Sequence, residues 1–358
     1  MKSLHEAGAE IIYHCFYYKG HNPPTQELKK YCSELHYYER KRSLFSLLFS
    51  KKPYVVASRG DSTLLMKVLS QPAPILIDGI QCSYWMMHED FREQKLIFRA
   101  NNIEHDYYDG LANWERNPLK KMYLKREARK LRNYEGVLKD VDLILSVAKM
   151  DIDHFSQYSK TIHLPPFFND SAESHFAPSK EGDDKFVLFQ GNLSVKENEH
   201  AAVHITQNIA PLSNKFFVIA GLNPSAYLRG IIDTQPNVKL IASPSHEEMN
   251  GLIRDAHVNL LMTFQQTGVK LKVLHAFQSG KHIIINSKMD DSGIFGSMCE
   301  VIDDSRAISK KITELLDVDF TQEMKNARDE KFNHIYSNKK NANKILAEVQ
   351  RMNKKIWG

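Results

Sequence analysis

Long hydrophobic runs are missing from this chain of 358 residues. The longest, such as VDLILSV (141–147) and KHIIIN (281–286), are strand-sized. They fall far short of the roughly 20 apolar residues that cross a bilayer, so no transmembrane helix is expected. A secretory signal is not evident either, because MKSLHEAGAEIIYHCF carries acidic and polar residues where a signal has an apolar stretch. The expectation is a cytoplasmic protein. Cysteine is sparse: Cys15, Cys32, Cys82 and Cys299 lie far apart, without C-x-x-C spacing. That excludes a disulfide scaffold and gives no sign of a zinc site, so the thiols are expected to be reduced and packed, and no metal is expected. Neither half shows G-x-G-x-x-G after its first strand, which argues against a dinucleotide oxidoreductase. Tandem repeats and low-complexity tracts are also absent.

What is present is the balance of a globular protein, with 42% hydrophobic and 25% charged residues. The length suits two domains of ordinary size. The net charge of +5 is mild but unevenly placed. One cluster spans 40–52 (Arg40, Lys41, Arg42, then LFSLLF, then Lys51 and Lys52). A second spans 120–132 (Lys120, Lys121, Lys125, Arg126, Arg129, Lys130, Arg132). Basic residues beside apolar helical stretches suit an anionic membrane surface, and two solvated helix faces would look the same. Nucleic acid is disfavoured, since neither cluster has the interleaved aromatics of a stacking platform.

Short β-rich runs alternate with helical stretches, the pattern of parallel sheets covered by helices on both faces; the fold class is α/β. In the first half strands are expected at 10–16, 54–58, 74–80, 95–101, 141–147 and 161–166, with a long charged helix over 118–138. A polar linker at 169–185 ends an N-terminal domain of residues 1–168. Strands at 186–193, 216–222, 238–243, 258–264, 282–286 and 300–303, with helices between them, make a second doubly wound domain over 186–319. The remainder, 320–358, reads as polar helix, with Leu346, Val349 and Met352 at helical spacing, able to pack back on the first domain. The chain opens in a helix where a Rossmann half usually opens with a strand and a glycine-rich turn. The usual first strand is therefore expected to be missing, through either a truncated start or a rearranged N-terminal domain.

Two Rossmann-like halves would bring their strands' carboxyl ends to a shared cleft, where open α/β sheets bind ligands. In the first half the richest such place is FRANNIEHDYY, with Arg99, Asn101, Asn102, Glu104 and His105. Such a group can bind a phosphate, a sugar hydroxyl or its own members. In the second half QGNLSVKEN supplies Gly191 and Asn192. TFQQTGVKLKVLHAFQSGK supplies Gly268, Val269, Lys270, Lys272 and His275. A glycine before a helix leaves the first N–H groups open to an anion. Lysines in a first turn oppose the helix dipole, and a bound diphosphate would supply their reason.

These segments carry a family resemblance. R-x-N-N-I-E-H-x-Y, K-x-x-Y-L-K-R-E-x-x-K-L-x-x-Y-E, L-I-L-S-V, V-L-F-Q-G-N-L-S-x-x-x-N and G-V-K-L-K-V-L-H-A-F-x-S-G-K, in that order over nearly the whole chain, resemble bacterial group 1 glycosyltransferases, the large retaining GT-B family. The resemblance implies a GT-B fold, with two Rossmann-like domains and a cleft between them. It implies a nucleotide-sugar donor, UDP- or GDP-linked, held by the C-terminal domain, and a glycan or lipid-linked acceptor held by the N-terminal domain. Transfer would be metal-independent and need no cofactor. It also implies that His105 stands near the transferred sugar. Members usually carry Glu-x7-Glu where this chain has Thr267 and His275, and Arg and Lys where it has Asn192 and Glu197. These departures fit a shift of phosphate binding to Lys270 and Lys272. They also leave open a non-catalytic GT-B protein binding nucleotide or glycan, or an NAD-independent nucleotide-sugar epimerase.

Overall fold

A computed structural model describes residues 1–18, 26–41, 43, 47, 49–168, 185–265 and 268–354. The chain divides into two compact units. Unit 1 comprises Met1–Asp109, Met122–Phe168 and Tyr336–Gly358, and unit 2 comprises Gly110–Lys121 and Asn169–Ile335. Residues 169–184 of the expected linker lie outside the described residues.

Unit 1 opens with a short helix, α1 (Lys2–Glu6), then β1 (Ile12–Tyr17) and β2 (Glu34–Glu39). These two strands pair in parallel with each other, as a sheet of their own. The stretch 54–58, expected as a strand, is instead the single-turn helix α2 (Tyr54–Ala57). Pro53 enters it, and the first backbone N–H, that of Tyr54, donates to Glu127 Oε2 at 2.6 Å. A buried carboxylate supplied from elsewhere in the chain thus caps α2, and this tertiary partner outweighs the β propensity of Tyr-Val-Val. The helix α3 (Ser62–Leu69), capped by the Asp61 carboxylate, leads to β3 (Ile75–Asp78). Then follow α4 (Glu89–Arg92), β4 (Leu96–Ala100), α5 (Glu104–Trp114) and α6 (Pro118–Tyr134). After a 3-10 turn (Glu135–Asp140), β5 (Leu143–Ser146), α7 (Ile152–Phe155) and β6 (Thr161–His163) complete the sheet, which is all-parallel in the order β3-β4-β5-β6.

The apolar periodicity of α6 explains its docking. Leu124, Ala128, Leu131 and Tyr134 recur at three- and four-residue spacing and are buried, the stripe an amphipathic helix turns to a core. Leu131 and Tyr134 pack with Phe98, Ile144 and Phe155. Ile97, Leu143 and Leu145 form another apolar cluster with Leu164 and Ile345, against which Val349 and Met352 also pack. The last helix of the chain therefore belongs to unit 1.

Unit 2 runs β7 (Val187–Asn192), α8 (Lys196–His204), β8 (Phe217–Leu222), α9 (Ala226–Ile232) and β9 (Val238–Ala242). It continues with α10 (His246–Asp255), β10 (Val258–Leu261), α11 (Leu271–Ser279), β11 (His282–Ile285) and β12 (Glu300–Val301). The helices α12 (Ser305–Leu316) and α13 (Gln322–Ile335) end the unit, and α14 (Asn338–Lys354) follows. The six strands are parallel in the order β12-β11-β10-β7-β8-β9. Counted within the unit this is 3-2-1-4-5-6, the doubly wound order, whose topological switch point lies between its first and fourth strands, β7 and β10. Val187, Phe189, Phe217, Ile219, Leu260 and Ile284 fill the core on one face of the sheet.

Residues 110–121, the end of α5 and the turn into α6, group with unit 2 although they precede its strands in sequence. There Trp114 stacks on His200, ring centroids 3.9 Å apart, and a Cβ added at Gly110 would strike the Gln265 amide.

Candidate functional site

In unit 2 the expected residues gather at the switch point. Strand β7 ends at Gln190-Gly191-Asn192, in register with Ala220-Gly221-Leu222 of β8. The two strands approach so closely here that a Cβ at Gly221 would lie 1.8 Å from the Gly191 carbonyl oxygen. A Cβ at Gly191 would stand 3.1 Å from the Asn198 side chain, so that glycine also serves packing. Asn192 accepts from the Ser194 N–H and hydroxyl through Oδ1, and its carbonyl accepts from Asn198 Nδ2 at 3.0 Å. This web fixes the β7–α8 turn.

From the other side comes the segment before α11. Gly268 sits at φ +57, a left-handed conformation that a glycine adopts without strain. Lys270 occupies the N-cap position, without capping the helix through its side chain. Its ammonium lies 3.8 Å from Glu197 Oε1. Lys272 turns inward, donating to Asn198 Oδ1 at 3.1 Å and to the Met262 carbonyl at 3.4 Å, with the Phe189 ring 5.0 Å away. Met262 directly follows β10 and Phe189 belongs to β7, so this ammonium sits over the switch point. Among the described residues no carboxylate forms an ion pair with Lys272. Burial lowers its ammonium to about 8, against a smaller upward pull from Glu197. Such a group is a cation short of a counter-anion. Val269 is half-buried beside Lys270. His275 is half-buried further along α11, its imidazole lowered first by burial and then by His246. Thr267 lies outside the described residues.

In unit 1 the polar groups at strand ends divide in two. Arg99 Nη1 donates to both Asp78 oxygens, at 3.0 and 3.2 Å, and Asn101 Nδ2 donates to Asp78 Oδ1 at 2.9 Å. Asp78 ends β3 and was not singled out in the sequence. Asp78 closes an apolar run directly before Gly79 and a 3-10 turn (Ile80–Cys82), and only the pairing of β3 with β4 places it beside Arg99. Asn102 donates to Glu104, whose carboxyl burial pushes above its usual range despite that bond.

His105 stands apart. It is 7% exposed, in the first turn of α5. Its Nε2 lies 3.2 Å from Glu135 Oε2, and the same oxygen meets His154 Nε2 at 3.0 Å. The ring is thus held inside unit 1 with its Nε2 directed at Glu135, while its Nδ1 lies 2.9 Å from Asp106 Oδ1 without a hydrogen bond. Neither Glu135 nor His154 was singled out in the sequence, since nothing in their spacing links them to His105.

Of the basic clusters, residues 42, 44–46 and 48 of the first lie outside the described residues. In the second, Lys120 pairs with Glu115, Lys130 with the buried Glu127, and Arg132 with Asp109. Lys125, Arg126 and Arg129 are exposed on the outer face of α6, beside Leu119 (73% exposed) and Met122 (66%).

A doubly wound unit of order 3-2-1-4-5-6 joined to a second α/β unit is the composition of the GT-B fold, and the known structures agree on that fold. The sucrose-phosphate synthase of Thermosynechococcus elongatus superposes with a TM-score of 0.70, at 12% identity, over 98% of this chain and 90% of that one. A TarM variant of S. aureus, solved with Fondaparinux, alpha-GlcNAc-glycerol and UDP, gives a TM-score of 0.58 at 13% identity over 80% of this chain. This chain spans 57% of that TarM's length. In sequence the chain is 26% identical over 284 residues to a Klebsiella pneumoniae protein described as an uncharacterized 44.6 kDa protein in cps region, covering 73% of this chain and 70% of that one. No family model matches the chain.

Proposed function

We propose that this chain is a glycosyltransferase that moves a sugar from a UDP- or GDP-sugar to a glycan or lipid-linked acceptor in cell-surface polysaccharide synthesis. The observation that carries the reading is Lys272, a half-buried lysine whose ammonium turns inward at the switch point of a doubly wound sheet, with neutral oxygens as its hydrogen-bond partners. A nucleotide diphosphate would supply the missing negative charge, received also by Lys270 and by the first N–H groups of α11 after Gly268 and Val269. Asn192 and His275 would offer hydrogen bonds to the rest of the donor.

In the transfer we assign, the diphosphate is the leaving group, and the two fixed ammonium groups stabilise the charge that grows on it. No step is asked of a metal or a cofactor. In retaining transfer the leaving phosphate itself can take the acceptor's proton. Asp78, Arg99 and Asn101 of unit 1, with Asn102 and Glu104 after them, are the acceptor-side candidates. His105 enters as a buried support of the α5 start rather than as a group that meets the sugar.

The relative in a cps region supports the placement in polysaccharide synthesis, and the TarM variant solved with UDP supports a uridine donor. A lipid-linked acceptor would bring the protein to the inner face of a membrane, where the outer face of α6 offers Lys125, Arg126 and Arg129 beside Leu119 and Met122. None of the helices among the described residues is long and apolar enough to cross a membrane.

The deciding experiment is calorimetric titration with UDP, GDP, ADP and CMP, followed by donor-dependent nucleotide release. Selective binding of UDP or GDP and release that rises with an added acceptor are expected. Binding without release would leave a GT-B protein that holds nucleotide and does not transfer, the alternative that Thr267 and His275 in place of the family's glutamates favour. No binding at millimolar nucleotide would overturn the donor site altogether.

A further inference from the structure

We propose that His105, Glu135 and His154 form a binding site for a divalent transition-metal ion of zinc type, a structural clamp inside unit 1 that is independent of the donor site. The three residues come from three elements: the first turn of α5, the 3-10 turn after α6, and α7. Both imidazoles present the same nitrogen, Nε2, to the same oxygen, Glu135 Oε2, at 3.2 and 3.0 Å. The rings cross at 63° with centroids 5.5 Å apart, and the candidate ligand atoms all lie within 4.8 Å of one another. Around a tetrahedral Zn²⁺ with bonds of about 2.0–2.1 Å, ligand atoms stand roughly 3.3 Å apart. The measured separations to Oε2 are those of such a centre.

The convergence on this one oxygen is dense even for hydrogen bonding. The Tyr158 hydroxyl also donates to Glu135 Oε2, at 3.2 Å. Three donors then crowd one buried oxygen, although each carboxylate oxygen has about two lone pairs to offer. A cation between these atoms removes the crowding, because the imidazoles then bind it through lone pairs. The Tyr158 hydroxyl or a water completes the fourth position.

A second observation concerns the far side of the His105 ring. Its Nδ1 makes no hydrogen bond in the present geometry, yet Asp106 Oδ1 lies 2.9 Å from it. A carboxylate beside Nδ1 favours the tautomer with its proton there, which leaves Nε2 unprotonated for a metal. Metal-bound histidines almost always have such an outer partner. Burial is also right for a structural centre: the side chains of His105 and Glu135 are 9% and 3% exposed, while His154, at 23%, leaves a way in.

The spacing hides this set from a sequence scan. Zinc motifs are recognised by ligands in close pairs, whereas these residues stand at 105, 135 and 154.

The test is made on the full-length chain, dialysed against a chelator and then titrated with Zn²⁺ by calorimetry and with Co²⁺ by visible absorption. Expected are one tight equivalent of Zn²⁺, the intense visible bands of tetrahedral Co²⁺, and a rise in melting temperature with either ion. His154→Gln should weaken binding by more than the roughly 10- to 100-fold that loss of an outer partner costs, and Asp106→Asn by about that 10- to 100-fold. Absence of a tetrahedral Co²⁺ spectrum in the wild-type chain would overturn the proposal, and this reading depends on no variant's folding. Unchanged Zn²⁺ affinity in folded His154→Gln would overturn it as well, placing the metal elsewhere. Neither result bears on nucleotide binding, so this site and the donor site stand or fall separately.

Discussion

Lys272 on α11 and Asn198 on α8 meet at 3.1 Å, ammonium to amide oxygen, and so join the two helices that follow the switch-point strands β10 and β7. The same Asn198 donates through Nδ2 to the Asn192 carbonyl. One amide side chain thus orients the inward-turned cation and fixes the turn after β7 together.

Removing that cation should act on the nucleotide first. A hydrogen bond to a charged group contributes about 1.5–3 kcal/mol, so Lys272→Met, which keeps the alkyl packing, should weaken UDP or GDP binding roughly 10- to 100-fold. Lys270→Ala should cost less, since its ammonium already has Glu197 nearby. Changing both should abolish measurable binding while the far-UV spectrum stays that of the wild type. Unaltered affinity in the double variant would remove both lysines from the donor site.

The pH dependence has a definite sign. Burial lowers the Lys272 ammonium to about 8, and an anion is bound by its protonated form. Nucleotide affinity should therefore be full at neutral pH and fall as pH rises through 8, with bound nucleotide shifting the titration upward by linkage. Calorimetry at neutral pH and at about pH 9.5 should show the decline in wild type and little of it in Lys272→Met. A flat wild-type profile would mean that this ammonium does not meet the phosphates.

Packing of β7 against β8 predicts a stability effect that needs no ligand. At Gly221 an added methyl would lie 1.8 Å from the Gly191 carbonyl oxygen, which is backbone and cannot step aside alone. Overpacking of side chains costs about 1–3 kcal/mol, so Gly221→Ala should reach or exceed the upper end of that range by forcing β7 and β8 apart. Thermal or urea unfolding measures it. By contrast, Gly230→Ala, where nothing stands within 4 Å and the residue lies inside α9, should be neutral or stabilising by up to about 1 kcal/mol.

The outer face of α6 gives a prediction about membranes. Lys125→Glu with Arg129→Glu should reduce sedimentation with vesicles rich in anionic lipid, by about 1 kcal/mol for each cation removed from the surface. Binding to neutral vesicles should be weak throughout. Equal sedimentation of wild type and double variant would leave this face as a solvated one.

Several features are legible in the amino-acid order because they are local. Continuous apolar runs such as FVLFQGN and HIIIN can only be buried strands when helical stretches flank them, and their alternation fixes a parallel α/β class. Lys270 and Lys272 stand out for the same reason, as cations at the start of a helix whose dipole disfavours them. Short mixed segments are less readable. Tyr54–Ala57 has the composition of a strand but becomes a helix because Glu127 caps it. ELHYYE becomes β2 because β1 is there to pair with it.

The sequence by itself determined the α/β class, the six strands of unit 2 and the cationic start of α11, since each rests on neighbours within a turn or a strand. Tertiary structure alone decided that Lys272 lies over the switch point, that Asp78 gathers Arg99 and Asn101, and that Glu135 draws His105 and His154 to one oxygen. The reason is physical: hydrophobic periodicity records which face of an element is buried, but it carries no record of which distant side chain will share that burial.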